Sequence, residues 1–76
     1  MTISVKFFAS IREKAGRAEA SMDGKEVVTA ADVWASTAGF PAPPNLLVAI
    51  NQEYARFDQL VQDGDEVAFF PPVTGG

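Results

Sequence analysis

At 76 residues, 47% of them apolar, the chain suits one domain and lies near the lower size limit for folding on a hydrophobic core alone. It has no cysteine and no histidine, which excludes disulfides and the usual zinc sites as sources of stability. Its net charge is −4, with Glu53, Asp58, Asp63, Asp65 and Glu66 set against Arg56 alone from Glu53 onward, so the basic stripe of a nucleic-acid binder is missing.

That acidic end reads either as a solubilising surface or as an attraction to a basic cleft on another protein, and charge alone does not choose. No apolar run reaches the roughly 18 residues of a membrane span. Met1 to Lys6 lacks the basic and then apolar regions of a secretory signal, so a cytoplasmic protein is expected.

Ile3-Ser4-Val5-Lys6-Phe7 alternates apolar and polar residues, the period of a half-buried strand. Ser10 and Glu13 have capping-box spacing, and Gly16 is placed to close a helix of one or two turns. A weaker strand is expected over Ala18 to Met22, followed by an Asp23-Gly24 turn. Thr29, with Asp32 three residues on, predicts the N-terminus of the main helix, which runs to about Ala38 with Val33, Trp34 and Thr37 on one face. Gly39 ends it, and Pro41, Pro43 and Pro44 keep Gly39 to Asn45 a loop. Leu46 to Ile50 is a continuous apolar run of strand length, covered on much of both faces. Asn51-Gln52 turns the chain into a short segment, Tyr54 to Phe57. After the Asp63-Gly64 turn, Glu66 to Phe70 is the last strand, stopped by Pro71-Pro72. Periodicity thus supports a small α+β domain, one main helix on a four- to five-stranded sheet; that the sheet is mixed rests on the resemblance given below.

Beyond the last strand come Val73-Thr74-Gly75-Gly76. Two prolines stiffen the exit and two glycines make the end slim, a shape that suits threading into a partner's pocket. A frayed terminus is the competing reading. A terminal carboxylate, with a pKa of about 3.5, is ionised at neutral pH and is a poor electrophile. Acyl chemistry there requires activation, most simply as an acyl-adenylate, and the chain has no Walker sequence or Gly-rich phosphate loop to perform it. Without a thiol the chain cannot hold sulfur as a persulfide; a sulfur carrier of this sequence would have to use its terminal acyl group.

Asn51-Gln52, Phe57-Asp58 and the run from Asp63-Gly64-Asp65-Glu66 through Phe69-Phe70-Pro71-Pro72-Val73-Thr74-Gly75-Gly76 resemble the small subunits of molybdopterin synthase, the sulfur carriers of molybdenum cofactor biosynthesis. Phe7-Phe8-Ala9, Ile11-Arg12-Glu13 and Gly16 agree with them at the front end. The resemblance covers nearly the whole chain and is most specific over the last fourteen residues. It implies a ubiquitin-like β-grasp fold over residues 1–76, globular to residue 70 with a tail over 71–76, and first and last strands side by side at the sheet centre.

The resemblance also implies the chemistry. An E1-like adenylating enzyme would activate Gly76 with ATP, and a sulfur donor protein would convert it to a thiocarboxylate. The tail (Pro71, Pro72, Val73, Thr74, Gly75, Gly76) would then enter the large subunit of molybdopterin synthase, in an expected heterotetramer, and give its sulfur to cyclic pyranopterin monophosphate. The chain itself would be a non-catalytic co-substrate, with no bound cofactor or metal and no membrane or nucleic-acid partner.

If Ile3, Val5, Phe7, Val67 and Phe69 face the core, Phe8 and Phe70 fall outward on neighbouring strands. In the family, positions matching Phe8, Tyr54 and Phe70 form a partner-binding patch. Trp34 reads as core packing, Arg12, Lys14 and Arg17 as a solvated helix end, and Asp63 and Asp65 as turn formers. Ser36 to Asn45 is short and proline-rich where family members often continue the helix, which leaves local packing there open. Three other classes compete: a carrier for thiamine or another pathway, a ubiquitin-like modifier joined through Gly76 to lysines, and a plain binding module.

Overall fold

The computed structural model describes residues 2–26 and 28–72. In β1 (Thr2–Phe7) the expected alternation holds: Ile3, Val5 and Phe7 are buried while Thr2 and Ser4 face solvent. β1 pairs antiparallel with β2 (Glu19–Asp23), from Thr2 opposite Asp23 to Lys6 opposite Glu19. Between them lies α1 (Ala9–Ala15), closed as expected by Gly16 at φ 77°, whose N–H donates to the Arg12 carbonyl at 3.0 Å.

The start of α1 differs from the sequence reading. Its N-cap is Phe8 and no side-chain cap is formed, so the Ser10–Glu13 box is not used. The helix begins directly off the strand: Ala9 at φ 52° makes the bend, and the Phe8 carbonyl accepts from the Ile11 and Arg12 amides. Ser10 is therefore already inside the first turn, where an N-cap hydroxyl has no role. Arg17 also departs from its expectation, because its guanidinium donates to the Thr37 carbonyl at the C-terminal end of the second helix.

That helix, α2 (Ala30–Thr37), follows the two-residue strand β3 (Val28–Thr29). Its capping box is complete: the Asp32 amide donates to Thr29 Oγ1 at 3.1 Å, and the Thr29 amide donates to Asp32 Oδ2 at 3.0 Å. Val33, Trp34 and Thr37 form the buried face. Trp34 meets Phe69 edge-on with ring centroids 4.9 Å apart and Phe40 at 5.1 Å, and its Nε1 donates to the Phe40 carbonyl at 2.9 Å. The loop after α2 is thus held down by Phe40, which answers how its short, proline-rich path packs.

β4 (Leu47–Ile50) starts one residue later than expected, after Asn45 at φ 64° and the buried Leu46. β5 (Glu53–Ala55) ends earlier than the predicted segment. Phe57 instead turns inward and stacks on Phe69 at 6.1 Å. Sequence patterning did not predict β6 (Leu60–Val61), which pairs with β3 as a separate two-stranded sheet.

β7 (Glu66–Phe70) matches its predicted span and completes a five-stranded sheet in the order β2-β1-β7-β4-β5. β1 and β7 run parallel, with Val5 opposite Val67 and Phe7 opposite Phe69, and β7 also pairs antiparallel with β4. The core (Ile3, Val5, Phe7, Val48, Val67 and Phe69 from the sheet, Ile11, Val33 and Trp34 from the helices) lies on one face. This is the ubiquitin-like β-grasp arrangement, with the main helix α2 and the short α1 both contributing to the core on the inner face.

Candidate functional site

Among the described residues no helix lies on the opposite face of the sheet, and strand alternation decides what that face shows. Ile3, Val5, Phe7, Val67 and Phe69 point inward, so Ser4, Lys6, Glu66, Ala68 and Phe70 point outward. Across β4, Leu47 is opposite Phe70 and Ala49 is opposite both Ala68 and Tyr54.

Phe70 and Tyr54 therefore stand on the two strands that flank β4, strands about 10 Å apart, and are offset by two residues along it. Their ring centroids are 5.7 Å apart, so the rings lean toward each other over β4, where Ala49 presents only a methyl group. Tyr54 is 72% exposed and Phe70 half-buried beneath it. Phe8, 48% exposed, lies one step past the Phe7–Phe69 register pair, and its amide donates to the Phe69 carbonyl at 3.1 Å. The structure thus brings Tyr54 and Phe70 into ring contact, while register sets Phe8 one step beyond the Phe7–Phe69 pair, on the strand beside that of Phe70, at the end of the same face. Leu47, Ala49 and Ala68 complete it. The sequence reading passed over these three because an all-apolar run hides which residues face outward.

The neighbouring part of the face is ionic. Lys6 Nζ lies 3.8 Å from both Glu19 and Glu66. These groups are substantially exposed, so the pairs set the polarity of the border more than the stability.

Of the tail, Pro71 is half-buried and Pro72 exposed just past β7, so the chain leaves the sheet from the strand that carries Phe70. Val73, Thr74, Gly75 and Gly76 lie outside the described residues. Among the described residues no group of three or more acids is placed to hold a metal ion, and no helix is long and apolar enough to cross a membrane.

Asp63 and Asp65 keep the turn role expected of them, and Asp65 does more. Its Oδ2 accepts the Gln62 amide at 2.9 Å, while its Oδ1 accepts Asn51 Nδ2 at 2.9 Å, tying the β4–β5 turn to the start of β7. Trp34 is a core residue, and Arg12 and Lys14 are exposed.

The family model described as the ThiS family matches residues 5–76. This chain belongs to the ThiS family. The molybdopterin synthase sulfur carrier subunit of Escherichia coli (strain K12) is 41% identical to it, covering 97% of this chain and 99% of the relative. The subunit of the same name from Haemophilus influenzae is 39% identical, with the same coverage. Both alignments run over 83 positions, longer than the chain itself, so these relatives hold residues that this one lacks. Among solved structures, the small archaeal modifier protein 1 of Haloferax volcanii superposes with a TM-score of 0.79 at 26% identity, covering 95% of this chain and 98% of its own. The resemblance carried by the Phe-Phe-Pro-Pro ending and the front-end residues therefore extends over the whole ThiS-family chain.

Proposed function

We propose that this chain is the sulfur carrier subunit of a molybdopterin synthase and that Gly76 is the atom-bearing end. Full-length kinship to molybdopterin synthase sulfur carrier subunits, at up to 41% identity, carries the reading. In the proposed cycle the Gly76 carboxylate attacks the α-phosphate of ATP on an E1-like enzyme, releasing pyrophosphate and leaving an acyl-adenylate. The outer sulfur of a donor protein's persulfide displaces AMP, and a thiol then reduces the resulting sulfur–sulfur bond, releasing the thiocarboxylate and forming a disulfide. Within the large subunit, that sulfur displaces an oxygen substituent from a carbon of cyclic pyranopterin monophosphate, and water then cleaves the Gly76 acyl–sulfur bond, leaving the sulfur on the pterin and returning Gly76 to a carboxylate. Two deliveries supply the two sulfurs of a dithiolene.

In this reading the chain's own residues bind and orient. Phe8, Tyr54 and Phe70 give a partner an apolar grip beside the strand from which the tail departs. Pro71 and Pro72 would direct that tail away from the sheet, and Val73, Thr74 and Gly75 would thread it.

The likeness to a small archaeal modifier supports a second reading, in which Gly76 forms isopeptide bonds with lysines of other proteins. Intact-mass analysis of the chain isolated from its own host separates the two. A mass gain equal to one oxygen replaced by sulfur, absent when Gly76 is deleted, is expected of the carrier. Recovery solely as covalent conjugates would replace it with the modifier. Transfer to the pterin precursor by the large subunit then distinguishes molybdopterin from thiamine synthesis.

A further inference from the structure

Among the described residues, Leu60 is the large exposed hydrophobe that the aromatic face does not account for. It is 61% exposed on β6, where its neighbour Val61 fills the core and strand alternation sends Leu60 outward. A surface cleft of about 370 Å³ separates it from Tyr54. Ile50 and Ala55 add apolar lining, and Glu53 and Asp65 supply carboxylates.

The charge of those carboxylates is not answered by an ion pair among the described residues. The ion pairs found among the described residues join Lys6 to Glu19 and Glu66, Lys25 to Asp23, and Arg56 to Asp58; none reaches Glu53 or Asp65. Asp65 uses its oxygens on Asn51 and the Gln62 amide, which are neutral donors and leave its negative charge in place. The cleft therefore combines apolar patches in a lining that also holds Asn51 and Gln59, one exposed aromatic ring, and negative charge that no ion pair among the described residues answers. A side chain with an aliphatic stem and a cationic head matches all three, the stem against Leu60 and Ala55, the head near Glu53 and the ring of Tyr54. Tyr54 also belongs to the aromatic face through its contact with Phe70, so the cleft meets that face at Tyr54, around the edge strand β5.

We propose that the cleft between Tyr54 and Leu60 receives an arginine or lysine side chain of the protein that docks on the aromatic face. This rests on the docking role of Phe8, Tyr54 and Phe70 proposed above. The partner is thereby specified by chemistry: an apolar contact surface with a basic residue at the border that meets β5 and β6.

The test measures association and dissociation rates with the large subunit of molybdopterin synthase from the same organism, at low and high salt. The chains compared are the native one, Glu53→Gln, Leu60→Ser and Phe70→Ala, each checked by thermal melting. Glu53→Gln is expected to slow association about three- to tenfold at low salt, with the difference vanishing at high salt. Leu60→Ser is expected to speed dissociation about tenfold at either salt. Should Leu60→Ser fail to fold, Glu53→Gln decides alone. Native rates for both cleft variants, with Phe70→Ala weakened, overturn this inference and leave the docking face standing. Equal slowing of Glu53→Gln at both salts overturns the cationic occupant. No effect of Phe70→Ala, or no binding by the native chain, removes the docking reading and this inference with it.

Discussion

Asn51 joins two strands that the sheet already pairs, and its side chain makes the joint rigid. Its amide donates to the Glu66 carbonyl at 2.8 Å, its Oδ1 accepts the Glu66 amide at 3.0 Å, and its Nδ2 reaches Asp65. Asn51 and Gln52 both have positive φ, 52° and 71°, as the two centre residues of a tight hairpin turn require. Asparagine tolerates that region because its short polar side chain bonds locally; glutamine has no such compensation. Asn51→Ala, which loses both side-chain bonds and strains the turn, is expected to cost about 1–3 kcal/mol in chemical denaturation. Gln52→Gly is expected to gain a few tenths to about 1 kcal/mol, because relief of strain exceeds the added freedom of the unfolded chain. A loss of stability on Gln52→Gly would mean that its side chain, not its backbone, matters there. Gly24 is fixed by close approach: a Cβ there would lie 2.8 Å from Asp63 Cα, a backbone atom that cannot step aside. Neither the Asn51–Asp65 tie nor the Gly24–Asp63 contact has a local sequence signal, since each joins residues more than a dozen positions apart.

Among the elements, those with a strong local signal are the ones the sequence made legible. α2 combines a capping residue, an acid at the third position and a buried stripe at helical spacing, and the structure uses all three. β1 and β7 combine alternation or apolar density with clear turn residues, so their spans and inward residues were readable. β3 and β6 are two residues each, too short for any period to register, and they exist because pairing closes the chain under α2. The Ser10 box failed for the opposite reason: the motif was present, but Ala9 started the helix before it. The outward aromatics were legible only once strand adjacency was assumed, and the cleft beside Leu60 was not, because β6 was not. The working box of α2 also sets a pH dependence. The Thr29 amide, and then its hydroxyl, hold the Asp32 carboxyl below the ordinary carboxylate range. A carboxyl lowered in the folded state contributes stability at pH values above its unfolded pKa, and loses it as pH falls through the folded value. Melting temperature is therefore expected to fall as pH drops below about 4, and to fall less steeply over that range in Asp32→Asn. Identical slopes for the two chains would remove Asp32 as a contributor. Thr29→Ala should cost about 1 kcal/mol at neutral pH.

At the scale of the whole molecule, the fold separates holding from transfer. The core residues and the five-stranded sheet lie within positions 2–70, while the proposed transferring atom is at position 76. The face proposed for docking lies on the side of the sheet away from both helices, so truncating an outward ring there removes little that the core depends on. Phe70→Ala is expected to weaken binding to the large subunit by about 2 kcal/mol or more if Phe70 is an interface anchor. Its melting temperature should change far less than for a core truncation such as Phe69→Ala, where a fully buried ring is lost at a cost of about 3–5 kcal/mol. Deletion of Gly76 is expected to give the complementary result. Melting should be native, and binding should persist because Phe8, Tyr54 and Phe70 remain, but sulfur transfer to the pterin precursor should fall to background. Two variants would then fail in opposite ways, one stable chain that docks poorly and one that docks and delivers nothing. If deleting Gly76 abolished binding as completely as it abolished transfer, the chain end would itself be the principal contact. The aromatic face would then be reduced to a secondary one, because an apolar grip independent of the tail is what its position on the sheet predicts.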